Sequence, residues 1–491
     1  MKPSLLSAQD IDAYLAAGAW TRATMVERYR DHARAFPDRI ACQDDRERYT
    51  WAELDAATDR IATNLIAMGL ARDSRALVQM PSSAREMVLR MALKKAGIIG
   101  AFVPMQWRAK ELDYVRERLS PALEIGPDDS DTWDRLTEET PVSQDDIERR
   151  QFAFDEVSLI TVSSGTSGLA KLCEWPEAAQ INVGKGIAER LAVTDDDTIG
   201  MFAPLSGAAG VLVWCIAATH PCTFVFPTGY DPADLLSLVE REHLTVATTV
   251  PVILARLAEA PKAGFDLSSL RTLRVGTAAT DVEAARRFEN DTDCKVVVAS
   301  GAMECPGFGH AHIDEPKERR LDGSVGLPLP GCRLKIDEES GELMVRAPFA
   351  SSGYWDDEEG TAAVWDAGWY RTGDIGELDA DGRLTLKGRL KETINRSGHK
   401  ILPAEVEHAL NAHDDVFDAG VVGAPDAEYG QVPWAFVQMR AEAEMDAEAL
   451  SAHLLASGMA AYKVPVRFIQ VDELPRVGGN KIDKKRLLDG I

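Results

Sequence analysis

A short segment rich in hydroxyl groups and glycine carries the most distinctive chemistry in the chain. It reads TVSSGTSGLAK over residues 161–171 and ends in one cation, Lys171. Glycines let backbone N–H groups converge on an anion, and hydroxyl side chains add further donors. The residues of this kind form one run: Ser163, Ser164, Gly165, Thr166, Ser167 and Gly168. We predict a loop that binds a phosphate chain, with a plain Gly/Ser turn as the alternative.

The element that must position this loop is a strand. The apolar run FDEVSLI directly precedes the segment and ends at the loop. The spacing does not fit the Walker loop, because the pattern GxxxxGK[ST] fails after Gly165. A P-loop nucleotidase is therefore disfavoured.

Helical and strand-like segments alternate through the first part of the chain. Residues 52–70 have apolar positions at helical spacing, and ALVQM at 76–80 is typical of a strand. Such alternation predicts parallel sheets covered by helices. From about Gly323, short strands and glycine turns predict an antiparallel, barrel-like region. We predict an α/β protein with a large N-terminal domain, 1–388, and a small α+β C-terminal domain, 389–491, joined by a hinge.

Composition limits the class of partner. The 491 residues include 54 basic and 79 acidic side chains, a net charge of -25. Nucleic acid and anionic membranes both require a basic surface, so neither is expected as a partner. The seven cysteines are never spaced as CxxC, and the chain starts without a basic-then-apolar run. These features favour a cytoplasmic protein with reduced thiols.

Three separated blocks resemble the signature motifs of the adenylate-forming superfamily. They are SSGTSGLAK (163–171), the segment from YRTGDIG to PAEVE (370–407) and NKIDKK (480–485). That superfamily contains acyl- and aryl-CoA synthetases, adenylation domains of peptide synthetases and luciferases. The opening section, AYLAAGAWTRATMVERYRDHARAFPDRIA, is most similar to aryl-acid AMP ligases. The resemblance implies ATP and Mg²⁺ as cofactors and a small-molecule acid as substrate.

The resemblance also implies where the nucleotide binds. The loop and Lys171 would hold the β- and γ-phosphates, Asp374 the ribose, and Arg389 would assist the same nucleotide. Glu304 would help to hold Mg²⁺, an ion that prefers hard oxygen ligands. Two backbone segments would contact the adenine: Gly276, Thr277 and Ala278, and Ser300, Gly301, Ala302 and Met303. Ser300 stands where the family usually has a tyrosine against the base.

Further roles follow from the match to the family's last blocks. Lys481 would be the catalytic lysine that offsets charge at the α-phosphate, with Lys171 and Glu304 as the other catalytic residues. Lys391 occupies the hinge position, and Gly398 would let a pantetheine arm pass close to the backbone. The lysine is preceded by Asn480 instead of the family's glycine.

The acid pocket departs most from the family. The segment that would line it contains mainly small residues: Leu205, Ser206, Gly207 and Ala208, followed by Ala209 and Gly210. Small residues indicate either a roomier pocket or a close backbone approach. The identity of the acid therefore stays open.

Three functions are compatible with these residues. The leading hypothesis is adenylation of a carboxylic acid, with an aromatic acid favoured, and transfer to a thiol of CoA or of a phosphopantetheinyl carrier protein. The second is a diazotase-like reaction in which nitrite is adenylated and reacts with an aryl amine. The third is a nucleotide-binding homologue that has lost catalysis.

Overall fold

The computed structural model describes residues 7–164, 170–440, 443–477 and 481–490. In chain order the helices are α1 (Ala8–Ala16), α2 (Met25–Ala35), α3 (Trp51–Ala67), α4 (Ala84–Lys95), α5 (Ala109–Leu119), α6 (Ser130–Thr137), α7 (Gln144–Arg150), α8 (Glu177–Leu191), α9 (Ala208–Trp214), α10 (Pro232–Glu242), α11 (Pro251–Glu259), α12 (Val282–Thr292), α13 (Lys317–Arg320), α14 (Glu358–Val364), α15 (Pro403–Asn411), α16 (Ala447–Ala456) and α17 (Lys484–Asp489).

The strands follow the same order. They are β1 (Ile40–Gln43), β2 (Arg48–Thr50), β3 (Arg75–Val78), β4 (Ile99–Phe102), β5 (Leu123–Ile125), β6 (Val157–Ser164), β7 (Ala170–Pro176), β8 (Thr198–Met201), β9 (Thr223–Val225), β10 (Val246–Thr249), β11 (Thr272–Val275), β12 (Lys295–Ser300), β13 (Gly309–His310), β14 (Arg333–Ile336), β15 (Glu342–Arg346), β16 (Trp365–Asp366), β17 (Trp369–Leu378), β18 (Leu384–Arg389), β19 (Ile394–Arg396), β20 (His399–Ile401), β21 (Val416–Asp426), β22 (Gly430–Met439), β23 (Arg467–Gln470), β24 (Arg476–Val477) and β25 (Lys481–Ile482).

The chain forms two compact units. The first contains Met1–Leu334 and Val345–Tyr370, and the second contains Lys335–Met344 and Arg371–Ile491. The predicted domain boundary at residue 388 stays a prediction.

Two sheets organise the first unit. One has eight strands in the order β13-β12-β11-β10-β8-β9-β1-β2, and the other has the order β5-β3-β4-β6-β7. Neighbours β8, β10, β11 and β12 run parallel, as do β3, β4 and β6. Parallel strands need crossover connections, and the helices between them provide these connections. The predicted alternation of helix and strand is confirmed.

Local sequence signals explain how individual helices begin. Thr50 precedes α3, where its hydroxyl accepts a hydrogen bond from the Glu53 backbone N–H at 3.1 Å. The Glu53 carboxylate accepts in return from the Thr50 N–H at 2.8 Å. This capping box satisfies two N–H groups that the helix leaves unpaired at its start.

Buried apolar side chains form a separate cluster at each of the two sheets of the first unit. Leu273, Val296 and Phe288 belong to a buried cluster at the eight-stranded sheet. Leu77 and Ile160 belong to a second cluster, at the five-stranded sheet. Both sheets are therefore fixed by burial of apolar side chains.

An antiparallel sheet follows, as the glycine-rich texture after Gly323 predicts. Its order is β14-β15-β17-β16 with β18 on β17, and β17 pairs antiparallel with both β16 and β18. The boundaries of the two units fall within β14, β15 and β17.

The second unit has its own sheet and core. The sheet order is β20-β19-β22-β21 with β23 on β22, and β24 and β25 form a separate hairpin. Helix α15 begins at Pro403, a residue favoured in the first turn, and its Val406 is buried. The α/β fold class with a smaller α+β unit is confirmed. Within the described part of the chain, no helix has the length and apolar character needed to cross a membrane.

Candidate active site

The strand predicted before the glycine-rich loop is present. It is β6, and it pairs antiparallel with β7 so that Ser163 lies opposite Lys171 and Ser164 opposite Ala170. The predicted loop residues Gly165, Thr166, Ser167 and Gly168 lie outside the described residues, and only the backbone of Ser164 is described. The hairpin therefore places a hydroxyl and an ammonium group at the base of the loop.

Glu304 lies close to this base. Its side chain is only 6 % exposed, and its Oε1 accepts hydrogen bonds from Ser163 Oγ at 2.9 Å and from the Tyr354 hydroxyl at 2.8 Å. Burial, followed by the Glu304 charge, raises the pKa of Tyr354, so the phenol stays a proton donor. A carboxylate held by two hydroxyl groups is a suitable hard-oxygen ligand for Mg²⁺.

Lys171 has a carboxylate partner. Its Nζ lies 2.6 Å from Asp357 Oδ2 and 5.1 Å from the centre of the Tyr354 ring. The hydrogen bond from Lys171 lowers the pKa of Asp357. Asp357 also caps α14, where its Oδ1 accepts from the Gly360 N–H at 2.8 Å. Any anion that binds Lys171 must compete with this carboxylate.

Sequence reasoning missed Tyr354 and Asp357. Both lie in SSGYWDDEEG, which contains a visible helix-cap signal because an aspartate precedes the helical run. Their sequence distances from their partners are 50 residues for Tyr354 and Glu304, and 186 for Lys171 and Asp357. No local pattern indicates contacts at such separations.

The segment predicted to contact the adenine has an unusual backbone. Thr277 has a φ of +86°, a conformation that side chains with a branched Cβ rarely adopt. Its buried hydroxyl has no hydrogen-bond partner among the described residues. Gly276 N–H donates to Thr249 O at 3.4 Å. Strain and an unpaired hydroxyl at one position are typical of a functional site.

The second predicted adenine segment follows the edge of the same sheet. Ser300 ends β12 and pairs with Gly309 of β13, and Gly301, Ala302 and Met303 follow directly. Met303 O accepts a hydrogen bond from Trp175 Nε1 at 2.9 Å. This contact fixes the backbone next to Glu304.

The predicted acid-pocket segment is held tightly. Leu205 is fully buried; its N–H donates to Ser82 Oγ at 2.7 Å, and its carbonyl accepts from Arg90 Nη2 at 3.1 Å. A Cβ on Gly210 would lie 2.2 Å from Pro204 O, so this position requires glycine. Of the two interpretations of the small residues, a close backbone approach applies at Gly210.

The remaining acid-pocket residues lie at the start of α9. Gly207 precedes the helix and its N–H donates to Pro204 O at 3.0 Å, and Ala208 is the first helical residue. Ser206, which precedes Gly207, is half-buried. The four predicted pocket residues thus form one turn that enters the helix.

Two predicted nucleotide residues of the second unit contact each other. Asp374 and Arg389 are opposite residues of β17 and β18, and Arg389 Nε lies 2.8 Å from Asp374 Oδ1. Arg389 Nη1 also donates to Thr372 O at 3.1 Å. Asp374 is 8 % exposed, so its carboxylate is held in one orientation.

The other predicted residues of the second unit occupy turns and a short strand. Lys391 lies in a 3-10 turn, and Gly398 has a φ of +89° in the turn between β19 and β20. The Gly398 N–H donates to Asn395 Oδ1 at 2.9 Å. The backbone of Lys481 pairs with Val477 in the last hairpin; the Lys481 side chain and Asn480 lie outside the described residues.

Family models match most of the chain. Residues 29–355 match AMP-binding enzyme, and residues 405–481 match AMP-binding enzyme C-terminal domain. The first region includes the block at 163–171, whereas most of the block at 370–407 lies between the two regions.

Individual proteins are similar over almost the full length. The chain is 31% identical to 2,3-dihydroxybenzoate-AMP ligase of Bacillus subtilis, over 98% of this chain and 96% of that protein. It is 30% identical to a feruloyl-CoA synthase of Amycolatopsis, over 92% of this chain and 96% of that protein.

One solved structure shows the same fold. It is ATP-bound MatB from Rhodopseudomonas palustris, with a TM-score of 0.85 at 24% identity, over 96% of this chain and 99% of that chain. The match to the larger family model and the relative at 31% identity both identify the family of this chain. The chain belongs to the AMP-binding enzyme family and is an ATP-dependent, adenylate-forming ligase.

Proposed function

We propose that this ligase activates an aromatic carboxylic acid and passes the acyl group to a thiol of CoA or of a carrier protein. In the first step an acid oxygen attacks the α-phosphorus of ATP and pyrophosphate leaves, which yields acyl-AMP. In the second step the thiol sulfur attacks the acyl carbon, loses its proton, and AMP leaves. The single observation that carries this proposal is the grouping of Ser163, Lys171 and Glu304 at the base of the glycine-rich loop.

Lys171 would bind the phosphates by exchanging partners. Its ammonium group is 27% exposed and paired with Asp357, so it is accessible to an anion that enters beside the hairpin. A phosphate oxygen carries more charge than one carboxylate oxygen, and it would draw Lys171 from that pair. Asp357 would then keep the vacant lysine oriented between turnovers.

Glu304 would hold Mg²⁺. Its carboxylate is fixed by Ser163 and Tyr354, both bonded to Oε1. Mg²⁺ at nucleotide sites commonly uses few protein ligands together with phosphate oxygens. When bound, the ion would neutralise charge on the phosphates.

Asp374 and Arg389 would bind the sugar of the nucleotide. One carboxylate can accept hydrogen bonds from two neighbouring hydroxyls, and Arg389 already orients Asp374 at 2.8 Å. Lys481 would supply the cation at the α-phosphate, where negative charge grows as the acid attacks. Lys391 would act as the hinge, and Gly398 would admit the pantetheine arm.

The acid class is supported by the relatives and by the pocket segment. 2,3-dihydroxybenzoate-AMP ligase and feruloyl-CoA synthase are both named for aromatic acids. Positions 205–208 form a rigid turn, because Arg90 and Ser82 hold both backbone groups of Leu205. A rigid, apolar wall fits a flat ring better than a flexible chain, which loses more entropy on binding.

Pyrophosphate exchange over a panel of acids tests the proposal. We expect Mg²⁺-dependent exchange with substituted benzoates or cinnamates, and weaker exchange with aliphatic acids. Glu304→Gln keeps the size of the side chain but removes its charge, so exchange should fall about a hundredfold or more. Glu318→Gln is the matched control, because Glu318 is exposed; it should leave exchange unchanged.

Two results would select the other hypotheses. AMP formation that requires nitrite and an aryl amine but no thiol would select the diazotase-like reaction. ATP binding without exchange for any acid would select the non-catalytic homologue, and either result would contradict the proposal.

A further inference from the structure

The first unit contains a cavity that none of the predicted nucleotide, acid or thiol residues lines. Its volume is about 360 Å³, and it lies between α2, α8 and the segment that follows the 3-10 turn Cys215–Ala218. Ligand sites in proteins begin at roughly 300 Å³, so this cavity suits a small molecule.

Three residues that line the cavity each have a buried polar atom without a hydrogen-bond partner among the described residues. The atoms are Arg28 Nε, His32 Nε2 and Asn182 Oδ1. Asn182 is 8 % exposed, and its Nδ2 donates to Ala19 O, which leaves Oδ1 as the unpaired acceptor. An unpaired buried polar group is costly, so these atoms show that the protein's own groups do not fully satisfy the polar side chains beside the cavity.

The cations of the wall are not neutralised. Within the described ranges neither Arg28 nor Lys185 forms an ion pair. The carboxylate of Asp31 also lines the cavity but pairs with Arg34 at 3.4 Å. Asp195 acts on His32 through its charge but does not line the cavity. In a chain of net charge -25, this wall is locally suited to an anion.

The two histidines of the wall are uncharged near neutral pH. Burial lowers the pKa of His32 to about 4, and burial also lowers the pKa of His220. His220 Nδ1 lies 3.0 Å from Thr219 Oγ1. The histidines therefore provide hydrogen bonds instead of charge, and the guanidinium of Arg28 is the charged group deepest in the wall.

The rest of the wall is apolar. Ala178, Ile181 and Ala218 are buried residues that face the cavity. An inorganic anion would leave this surface without contacts, whereas an organic body would cover it. The occupant must therefore combine an anionic group and an apolar part.

We propose that this cavity binds a small organic carboxylate. The carboxylate faces Arg28, and the carbon skeleton packs on Ile181 and the alanines. The site is separate from the adenylation chemistry and does not depend on it.

The test uses 4-bromomandelate, which has a carboxylate, a hydroxyl and a ring that bromine makes visible to anomalous diffraction. We expect saturable binding by calorimetry to the full chain and a bromine peak in the cavity. Arg28→Met should weaken binding by about tenfold or more, since a charge-assisted hydrogen bond is lost. Lys185→Met, a second variant that removes the other cation of the wall, should weaken it as well.

Arg34→Met is the matched control, because Arg34 lies on the same helix with its side chain 75% exposed and does not line the cavity. It should bind as the unmodified chain does. Circular dichroism of each variant separates lost binding from lost folding. The proposal is overturned by no binding of 4-bromomandelate, by bromine located beside residues 205–208 alone, or by unchanged binding in folded Arg28→Met.

Discussion

Thr277 combines a strained backbone conformation with an unpaired buried hydroxyl. A threonine at a φ of +86° is strained by its branched Cβ, and its buried hydroxyl makes no hydrogen bond to the described residues. Such strain costs roughly 1–3 kcal/mol and persists only where the surroundings impose it. A nucleotide contact from the hydroxyl would explain why glycine does not occupy the position.

We expect Thr277→Gly to raise the free energy of unfolding by about 1 kcal/mol, because relief of strain exceeds the entropy cost of glycine. The KM for ATP should rise, since the hydroxyl is lost. Chemical denaturation and exchange kinetics measure the two effects. Thr277→Ala separates them, because it removes the hydroxyl and keeps the Cβ: it should raise KM without stabilising the fold. An unchanged KM in both variants would contradict the nucleotide contact.

Helix α4 shows at the scale of an element how charge is accommodated inside the first unit. All of its residues except Arg85 are buried, including Glu86, Arg90, Lys94 and Lys95. Lys94 Nζ lies 2.6 Å from Glu177 Oε1, and Lys95 Nζ lies 2.6 Å from both Asp55 and Asp59. Buried charges survive only where partners of this kind satisfy them.

Removal of one partner should be costly. Lys94→Met leaves the Glu177 carboxylate buried, with Ser158 and the Met25 N–H as its remaining donors among the described residues. We expect a loss of about 3–5 kcal/mol in the free energy of unfolding, measured by urea denaturation. Lys110→Met removes an exposed helical lysine and should cost less than about 0.5 kcal/mol. If the two variants were equally stable, the buried pair would contribute nothing.

Arg90 connects the same helix to the candidate site. Its Nη2 holds the Leu205 carbonyl, and its guanidinium carbon lies 3.8 Å from the centre of the Phe102 ring. The pocket turn is therefore positioned by a charged side chain of a neighbouring helix. No pattern within residues 202–214 indicates this support.

For the whole molecule, the proposed chemistry draws on residues from both units. Lys171 and Glu304 belong to the first, whereas Asp374, Gly398 and Lys481 belong to the second. In the proposed reaction the two half-reactions would use different residues of the second unit, with Lys481 in adenylation and Gly398 in thiol transfer. A hinge at Lys391 would allow one unit to serve both steps.

Lys391→Pro should separate the half-reactions. Proline locks φ near −65°, so the backbone rotation needed between the steps would be blocked. We expect pyrophosphate exchange to persist and thioester formation to be lost, each measured with the best acid of the panel. Lys391→Ala keeps a free backbone and should retain both activities. Thioester formation by folded Lys391→Pro would refute the hinge.

Short-range sequence patterns were sufficient for the class of fold and the family. The periodicity of residues 52–70 predicts α3, ALVQM predicts β3, and the run before TVSSGTSGLAK predicts β6. These elements depend on residues that are close together in the sequence, within one helix turn or one strand, so local patterns are enough to predict them. The family motifs are equally local, and they predict Ser163, Lys171 and Glu304 as parts of one site for ATP and Mg²⁺.

The tertiary structure alone decided which distant side chains meet. Asp357 reaches Lys171 because β7 and the start of α14 come together, and Tyr354 reaches Glu304 for the same kind of reason. The burial of α4's charges and the cavity between α2 and α8 also depend on how separate segments pack. Side-chain pairing across such separations follows from strand order and register, which no local pattern encodes.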